Sequence, residues 1–213
     1  VFPVQRSFDE KDLPSTETRI AIFGQTHDLL TQHGYVPIGM DHFAKKDDAL
    51  SIALKNKTLH RNFMGYTTEA HAHQIGFGMT AISCVNGNYF QNHKDLNEYT
   101  RAISDKNLAT HKGHLASSDD TIRRDLIMRL MCQQRVDICD FESKHDLVFK
   151  KYFKKEISLL APFIQDKLLD MSGRTITVIP PGHLVLRNIA MCFDAYLEQT
   201  RKNAENPVFS KTI

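Results

Sequence analysis

The sequence predicts a mixed α/β protein, in which alternating helices and strands are followed by a small, mainly helical domain with a β wing. Over roughly the first half, apolar residues recur at helical spacing, then in short continuous runs, then at helical spacing again. After about residue 112 the predicted elements are mostly helices, and a lone β-rich run, GRTITVI, occupies residues 173–179. We therefore expect two domains, residues 1–112 and residues 113–213.

Composition limits the class of protein. Of the 213 residues, 41% are hydrophobic and 24% are charged, which is typical of a folded globular protein. The formal net charge is +2, so no broad basic surface and no nucleic acid partner are expected. No apolar run approaches the roughly 20 residues of a membrane span, and VFPVQRSFDEKD has no signal-peptide core. We expect a cytoplasmic protein without a membrane partner, and the start at VFPVQR is typical of a sequence that begins within a longer protein.

The cysteines and histidines do not predict a metal site. The four cysteines are widely spaced, with no CxxC or CxxxCxxC grouping: Cys84, Cys132, Cys139 and Cys192. We expect reduced thiols in a cytosolic core. His71 and His73 could present two imidazoles on one strand face, but without a third ligand surface histidines are favoured.

A first helix is predicted between Pro14 and Gly34. Ser15 can cap its N-terminus, and Gly34 can end it. Four apolar residues recur at helical spacing: Ile22, Phe23, Leu29 and Leu30.

A buried strand and a second helix are predicted next. YVPIGM, residues 35–40, is an apolar run that turns polar at Asp41 and His42. The helix starts at Asp47 or Asp48 and is expected to carry three residues inward: Ala49, Ile52 and Ala53. This order of elements indicates an α/β protein.

IGFGMTAIS, residues 75–83, alternates small and large side chains and is predicted to be a strand. Its glycines would allow another backbone or a ligand to approach closely, but they do not form the GxGxxG of a dinucleotide loop. A polar link, YFQNHK, is expected to be exposed. The amphipathic helix after it has one face made of Leu96, Tyr99, Thr100 and Ile103.

The second half is predicted to be mainly helical. A helix from Asp119 has one apolar face made of Ile122, Leu126, Ile127 and Leu130. Residues 149–163 repeat this pattern with Phe149, Phe153, Ile157 and Leu160. The closing helix, from Gly182 to about Glu198, is expected to bury Leu184, Val185, Ile189, Phe193 and Tyr196.

Arg123 and Arg124, together with Lys112, could contact nucleic acid through a winged helix. Three acidic residues lie beside them in sequence: Asp119, Asp120 and Asp125. A solvated helix face is therefore favoured.

LHRNFMGYTT, residues 59–68, gathers polar groups around few apolar side chains. A surface loop would simply hydrate them. If the stretch lines a cavity, Arg61 offers five fixed donors suited to carboxylates, and the hydroxyls of Tyr66, Thr67 and Thr68 add hydrogen bonds. The local chemistry leaves both possibilities open.

MDHFA places Asp41 and His42 directly after the predicted buried strand. In barrels, the C-terminal ends of strands carry catalytic groups, and this placement fits that pattern. The alternative is a helix-capping aspartate and a surface histidine. Combined with LHRNFMGYTT, the pattern favours a site.

Five motifs follow one another along the chain: GYVPIGMDHFA, LHRNFMGYTT, GMTAIS, DDTIRRDLIMRLMC and RNIAMCFDAYL. Together they resemble the bacterial oxygen-independent coproporphyrinogen III oxidases, radical SAM enzymes of haem biosynthesis, over almost the whole chain. The related haem-chaperone-like branch carries a YExSNFA-like motif in place of MDHFA, and a Trp. This chain has MDHFA and no Trp, so the oxidase branch is favoured.

The resemblance implies a fold. Residues 1–112 would supply the closing strands and helices of a partial TIM-like, radical SAM barrel. Residues 113–213 would form a small, mainly helical, winged-helix-like C-terminal domain.

The resemblance also implies a reaction. Two propionates of coproporphyrinogen III lose their carboxyl groups as CO2 and become vinyl groups, which gives protoporphyrinogen IX. A [4Fe-4S] cluster reduces S-adenosylmethionine, and the deoxyadenosyl radical abstracts a hydrogen from the propionate, while the protein orients and shields these groups. No catalytic residue is assigned in this chain.

Site residues follow from the matching motifs. Arg61 and His60 would pair with propionates, and the rest of the substrate site would include Tyr66, Thr67, Asp41 and His42. Ile82 matches a family position that contacts S-adenosylmethionine. Met64 stands where the family has a glutamine that reaches a second S-adenosylmethionine or the substrate, and His73 and Gln74 replace the usual Asp-Leu.

The family's CxxxCxxC cluster ligands lie in its N-terminal half, upstream of the position that matches Val1. The partner of this chain would therefore be the missing N-terminal half of the barrel, and the chain alone is predicted to be inactive. The other hypothesis is a truncated or degenerate paralogue that acts as a porphyrin-binding or interaction module. Met64 favours the second hypothesis, and the intact remaining motifs favour the first.

Overall fold

The structure, a computed structural model, describes residues 10–70 and 73–198, and it combines helices with small sheets. The helices are α1 (Thr16–Gln32), α2 (Ala49–Lys55), α3 (Leu96–Ser104), α4 (Ser118–Gln133), α5 (Ile138–His145), α6 (Phe149–Tyr152), α7 (Lys154–Leu159), α8 (Ala161–Gln165) and α9 (Leu186–Met191). The strands are β1 (Tyr35–Gly39), β2 (His42–Lys45), β3 (His60–Asn62), β4 (Gly65–Thr67), β5 (Ile82–Val85), β6 (Asn88–Asn92), β7 (Thr110–His114), β8 (Arg135–Asp137), β9 (Leu169–Asp170) and β10 (Thr175–Val178). Short 3-10 turns cover Glu10–Asp12 and Pro180–Val185.

The strands pair into four small sheets. Their strand orders are β1-β2, β3-β4, β5-β6-β7 and β8-β10-β9. Every pair of strands in the described ranges is antiparallel. The mixed α/β class is confirmed, whereas the parallel strands of a partial barrel and the winged-helix topology stay predictions.

The first predicted helix is confirmed as α1. The Ser15 side chain accepts a 3.2 Å hydrogen bond from the amide of Thr18, and Gly34 ends the helix region with a φ of +84°. No residue of α1 is buried, and Ile22 and Leu29 are 52% and 57% exposed. Periodicity predicts the face correctly but does not say whether another element covers it.

The next elements differ from the prediction in detail. β1 confirms the predicted strand, although only Ile38 and Gly39 of it are buried. Asp41 lies in the turn to the antiparallel strand β2, which begins at His42. The helix predicted at residue 47 or 48 is α2, capped by Asp48. Ala53 is buried as expected, whereas Ile52 is about half exposed.

The three-stranded sheet β5-β6-β7 corrects two expectations. IGFGMTAIS becomes a strand only at Ile82, and three of its large apolar side chains are exposed: Ile75, Phe77 and Met79. The link expected to be exposed instead contributes β6, the middle strand. Hydrogen bonds such as the 3.0 Å bond from the Gly76 amide to Ser83 Oγ hold the irregular stretch against the sheet.

The core lies mainly in the second half of the chain. Leu126 and Leu130 of α4 are fully buried, as predicted, and four phenylalanines pack edge to face or tilted among them: Phe141, Phe149, Phe153 and Phe193. The apolar spacing of residues 149–163 is confirmed, although three short helices share it. Truncating one such buried ring costs about 3–5 kcal/mol of stability.

The closing helix is shorter than predicted. α9 ends at Met191, and a 3-10 turn that contains two prolines precedes it. Proline lacks an amide hydrogen, so it cannot donate within a helix and favours such turns. Ile189 and Phe193 are buried as expected, whereas Leu184 and Tyr196 are exposed. No helix in the described ranges is long and apolar enough to cross a membrane.

Arg123 and Arg124 do not form the predicted solvated face. Arg123 donates 2.7 Å hydrogen bonds to Asp119 and to the buried Glu156. Arg124 stacks on the ring of Tyr89 at 4.8 Å and donates to a backbone carbonyl. Both guanidinium groups are used internally, because α4 packs against other elements on this side.

Candidate functional site

Two β-hairpins bring four of the predicted site residues together. In the first, Asp41 Oδ1 lies 2.8 Å from His42 Nδ1. In the second, Arg61 and Tyr66 face each other across β3 and β4, and the guanidinium carbon lies 4.8 Å from the ring centre. The edge of His42 meets the Tyr66 ring at 5.2 Å, which joins the hairpins. The result is a continuous row from Asp41 through Tyr66 to Arg61.

Glycines allow this close packing. A Cβ at position 39 would lie 2.2 Å from the Tyr66 hydroxyl oxygen, and one at position 65 would lie 3.2 Å from His42 Nε2. Only a residue without a side chain fits position 39 unless the buried tyrosine moves. The sequence shows both glycines, but only the fold shows what they face.

The hydroxyl of Tyr66 is not available to a ligand. Tyr66 is buried, and its hydroxyl donates a 3.0 Å hydrogen bond to the carbonyl oxygen of Met131 at the end of α4. Burial raises the pKa of Tyr66 to about 12, although the Arg61 charge acts in the opposite direction. The group therefore stays protonated at neutral pH, and Tyr66 offers a site its ring.

Arg61 retains unused donor capacity inside the protein. Its Nη1 is buried and has no hydrogen-bond partner. No carboxylate of the described residues forms an ion pair with it. The neighbouring Cys132 thiol does not neutralise it, because burial raises the pKa of that thiol to about 11, against the opposing effect of Arg61. A buried cation with an open donor is suited to a carboxylate.

The remaining predicted site residues lie on the same hairpin or on a separate sheet. His60 and Thr67 pair across β3 and β4, and Thr67 Oγ1 accepts a hydrogen bond from the Glu69 amide. Met64 is 83% exposed at the hairpin tip. Ile82 begins β5 and is half-buried. The structure thus clusters the polar residues, places Met64 at the exposed tip of the same hairpin and places Ile82 on a separate sheet.

The hairpin tip reaches the sheet that carries Ile82. Phe63, next to Met64, makes an edge contact with Tyr89 of β6 at 5.0 Å. Tyr89 also lies under Arg124 of α4. The sequence does not predict this arrangement, since no local pattern links positions 63, 89 and 124.

A small cleft adjoins Asp41. It has a volume of about 300 Å³ and is lined mainly by apolar groups from α1 and the first hairpin: Arg19, Ile22, Phe23, Thr26, Asp41 and Phe43. The buried Nε of Arg19 has no hydrogen-bond partner. Arg19, Ile22, Phe23 and Thr26 share one face of α1, so helical spacing could have identified this lining.

The residues that the structure describes do not form a site for a metal cluster. Among the described residues, no three His, Cys, Asp or Glu side chains gather in a metal-binding arrangement. All four cysteines are free and lie on separate elements. His71 lies outside the described residues, and His73 Nδ1 accepts a 3.3 Å hydrogen bond from the Asn86 amide.

Comparisons with known proteins agree with this architecture. Residues 116–185 match the family described as the HemN C-terminal domain. The chain is 42% identical over 213 residues to the oxygen-independent coproporphyrinogen III oxidase of Escherichia coli, and it covers 46% of that protein. It is 43% identical over 215 residues to the protein of the same name from Synechocystis, with 99% of this chain and 46% of that protein covered.

A solved structure supports the same relationship. The coproporphyrinogen III oxidase HemN of Escherichia coli, described as a radical SAM enzyme, matches with a TM-score of 0.87 and 43% identity. The match covers 92% of this chain and 45% of that chain. Fold and comparisons thus define a mixed α/β protein whose residues 116–185 match the HemN C-terminal domain. More narrowly, the chain is a homologue of the C-terminal half of the oxygen-independent coproporphyrinogen III oxidases, and it spans about half the length of the curated relatives it matches.

Proposed function

We propose that this chain is part of an oxygen-independent coproporphyrinogen III oxidase. The enzyme would convert two propionates of coproporphyrinogen III to vinyl groups by oxidative decarboxylation, giving protoporphyrinogen IX for haem biosynthesis. Support comes from the names of the relatives that match along the whole chain. We propose a cytoplasmic location, in which the free cysteines of this chain would stay reduced.

The observation that carries the substrate assignment is the open Nη1 of Arg61. Coproporphyrinogen III bears four carboxylates, and a guanidinium binds such groups through two parallel hydrogen bonds. Arg61 is held over Tyr66, lacks an internal carboxylate partner and adjoins a neutral thiol. We propose that Arg61 pairs with a propionate, and that the surrounding polar residues complete the substrate site: His60, Asp41, His42, Thr67 and the ring of Tyr66.

We propose that Ile82 and Met64 contact S-adenosylmethionine. Ile82 stands at the start of β5, and Met64 projects from the hairpin that contacts the same sheet. Met64 offers an apolar thioether, which is a weak hydrogen-bond acceptor and not a donor.

The [4Fe-4S] cluster would be supplied by the rest of the enzyme, since the cysteines of this chain do not fit it. We propose that the exposed apolar face of α1 packs against that N-terminal half of the barrel, which would bury Ile22 and Leu29. The chain by itself would then be inactive.

Porphyrin titration tests the role of Arg61. Coproporphyrin III, the air-stable oxidised form, is added to the wild type, to Arg61→Ala and to Arg101→Ala, which removes an equal charge from the exposed surface of α3. Loss of a charge-assisted hydrogen bond costs about 1.5–3 kcal/mol, or roughly 10-fold to 150-fold in Kd. Arg101→Ala should bind coproporphyrin III as tightly as the wild type does. The tetramethyl ester, which has no carboxylates, should bind weakly and equally to all three proteins. Equal affinity of the acid for all three would remove the propionate role.

Anaerobic reconstitution tests the fragment hypothesis. The chain is incubated with iron and sulfide, desalted and measured by visible absorbance. We expect no bound cluster and no turnover of coproporphyrinogen III. A stoichiometric iron-dependent band would show that the chain binds a cluster with its own residues.

The second candidate function is a degenerate paralogue that binds porphyrin or another protein without catalysis. The observation in its favour is Met64, exposed at the hairpin tip where the family has a glutamine. Supplying the N-terminal half of the Escherichia coli enzyme in trans separates the two candidates. Activity with the wild-type chain supports the enzyme, whereas activity only with Met64→Gln supports the degenerate copy.

A further inference from the structure

We propose that Tyr66 is a positioning residue: it fixes the guanidinium of Arg61 for anion binding, and it is itself fixed by the C-terminus of α4. This inference rests on the proposed function, since it concerns how the anion-binding group is held. It assigns the HemN C-terminal domain a direct part in the geometry of a site that lies on the preceding hairpins.

Both ends of the Tyr66 side chain are restrained. The ring carries Arg61 on one face at 4.8 Å and meets the edge of His42 at 5.2 Å. The hydroxyl donates to the carbonyl of Met131 at 3.0 Å, and the absence of a side chain at Gly39 lets the hydroxyl reach it. The ring therefore has little freedom to rotate or to slide.

The acceptor on α4 has no competing use within the helix. α4 ends at Gln133, so Met131 lies among the last four residues, whose carbonyl groups lack an intrahelical partner. Tyr66 satisfies this group. The same helix end carries a partial negative charge that favours a nearby cation, and Cys132, which adjoins Arg61, lies in this turn.

Restraint of Arg61 improves anion binding for a physical reason. A free arginine side chain samples many rotamers and must lose this freedom when it binds a carboxylate. Stacking on an aromatic face restricts the guanidinium in advance and uses its flat face, which leaves the in-plane N–H groups to donate hydrogen bonds. Most of the entropy that the Arg61 side chain must lose is then lost when the protein folds and not when the carboxylate binds.

The experiment compares Tyr66→Phe, which keeps the ring and loses the anchor, with Tyr66→Leu, which loses the ring. Coproporphyrin III affinity is measured for both, for Arg61→Ala and for the double variant Tyr66→Leu with Arg61→Ala. We expect roughly twofold to tenfold weaker binding for Tyr66→Phe. For Tyr66→Leu we expect a loss close to that of Arg61→Ala, and no further loss in the double variant. Additive losses, or unchanged affinity in Tyr66→Leu, would overturn the inference.

A second measurement needs no porphyrin and keeps the two proposals apart. In NMR spectra, the side-chain resonances of Arg61 should show an aromatic ring-current shift in the wild type and in Tyr66→Phe. Arg124→Ala, which breaks the stack on Tyr89, serves as the control and should leave that shift unchanged. If the wild type lacks the shift, Tyr66 does not position Arg61. This result does not depend on whether Tyr66→Leu folds. If the shift is present but Arg61→Ala binds normally, the proposed function fails instead.

Discussion

Arg123 Nη1 lies 2.7 Å from Glu156 Oε1, and this pair joins α4 to α7 inside the C-terminal domain. The same nitrogen donates a 3.0 Å hydrogen bond to the carbonyl of Phe193. The guanidinium also stands over the ring of Phe153 at 5.5 Å. One arginine therefore links four parts of the fold around the buried phenylalanines.

Removing Glu156 should destabilise the fold strongly. Glu156 is buried, and Arg123 is 15% exposed, so Glu156→Ala leaves a mostly buried cation with fewer partners. We expect a loss of about 3 kcal/mol in the free energy of unfolding, measured by urea denaturation. The control is Lys155→Ala, which breaks a solvent-exposed pair with Glu198 and should cost less than about 1 kcal/mol. Similar losses in both variants would contradict a buried role for Glu156.

Two glycines should respond in opposite directions to alanine. A Cβ at Gly182 would lie 2.0 Å from the carbonyl oxygen of Leu168, whose position is fixed by the amide of Ile179. Gly182→Ala should cost about 1–3 kcal/mol or more, because the obstacle is backbone.

Gly24→Ala is the comparison variant for Gly182→Ala, since Gly24 lies within α1 and a Cβ there would meet nothing within 4 Å. Gly24→Ala should raise stability by roughly 0.5–1 kcal/mol through helix propensity. Thermal melts of both variants check the pair. A destabilised Gly24→Ala would show that this side of α1 is covered in solution.

The capping box of α4 should make stability depend on acid pH. Burial raises the pKa of Asp120, but hydrogen bonds from the Ser117 hydroxyl and amide, Tyr196 and His114 outweigh it and lower the pKa to about 2. Because the folded pKa lies below the unfolded value of 3.8, the stabilisation is present above about pH 4 and is lost as the pH falls through 2. Asp120→Asn should therefore be less stable than the wild type at pH 6 and nearly equal at pH 2. A stability difference that does not change with pH would exclude this linkage.

Local signals in the sequence predict most of the individual elements. The cap at Ser15, the start of a helix beside Asp48 and the apolar spacing of α4 all appear in the structure. The failures come from burial and pairing. Periodicity marks the apolar face of α1, but whether another element covers that face depends on long-range packing. The sequence does not predict β6, because the polar residues of this strand suit its position, which is half-buried at every residue.

The motifs select the residues of the candidate site, but they do not predict how these residues contact one another. Motif resemblance selected Asp41, His42, Arg61 and Tyr66, and the structure brings them into one row. The bond from Tyr66 to Met131 spans 65 positions, so no local pattern could have indicated it. The prediction that the hydroxyl faces substrate assumed a free group, whereas the fold uses it to satisfy a helix end.

The four free thiols should differ sharply in reactivity. Cys139 is exposed on α5, whereas Cys132 is 3% exposed and burial raises its pKa to about 11. Because the thiolate is the reactive form, native protein treated with iodoacetamide at pH 8 should be alkylated first at Cys139. Cys132 should be modified only after unfolding in urea. Mass spectrometry of peptides from a time course measures both rates, with Cys139→Ser confirming the first assignment. If Cys132 in the native protein is alkylated as fast as Cys139, the interior beside Arg61 is open to solvent. A neutral thiol would then no longer explain why the charge of Arg61 is uncompensated.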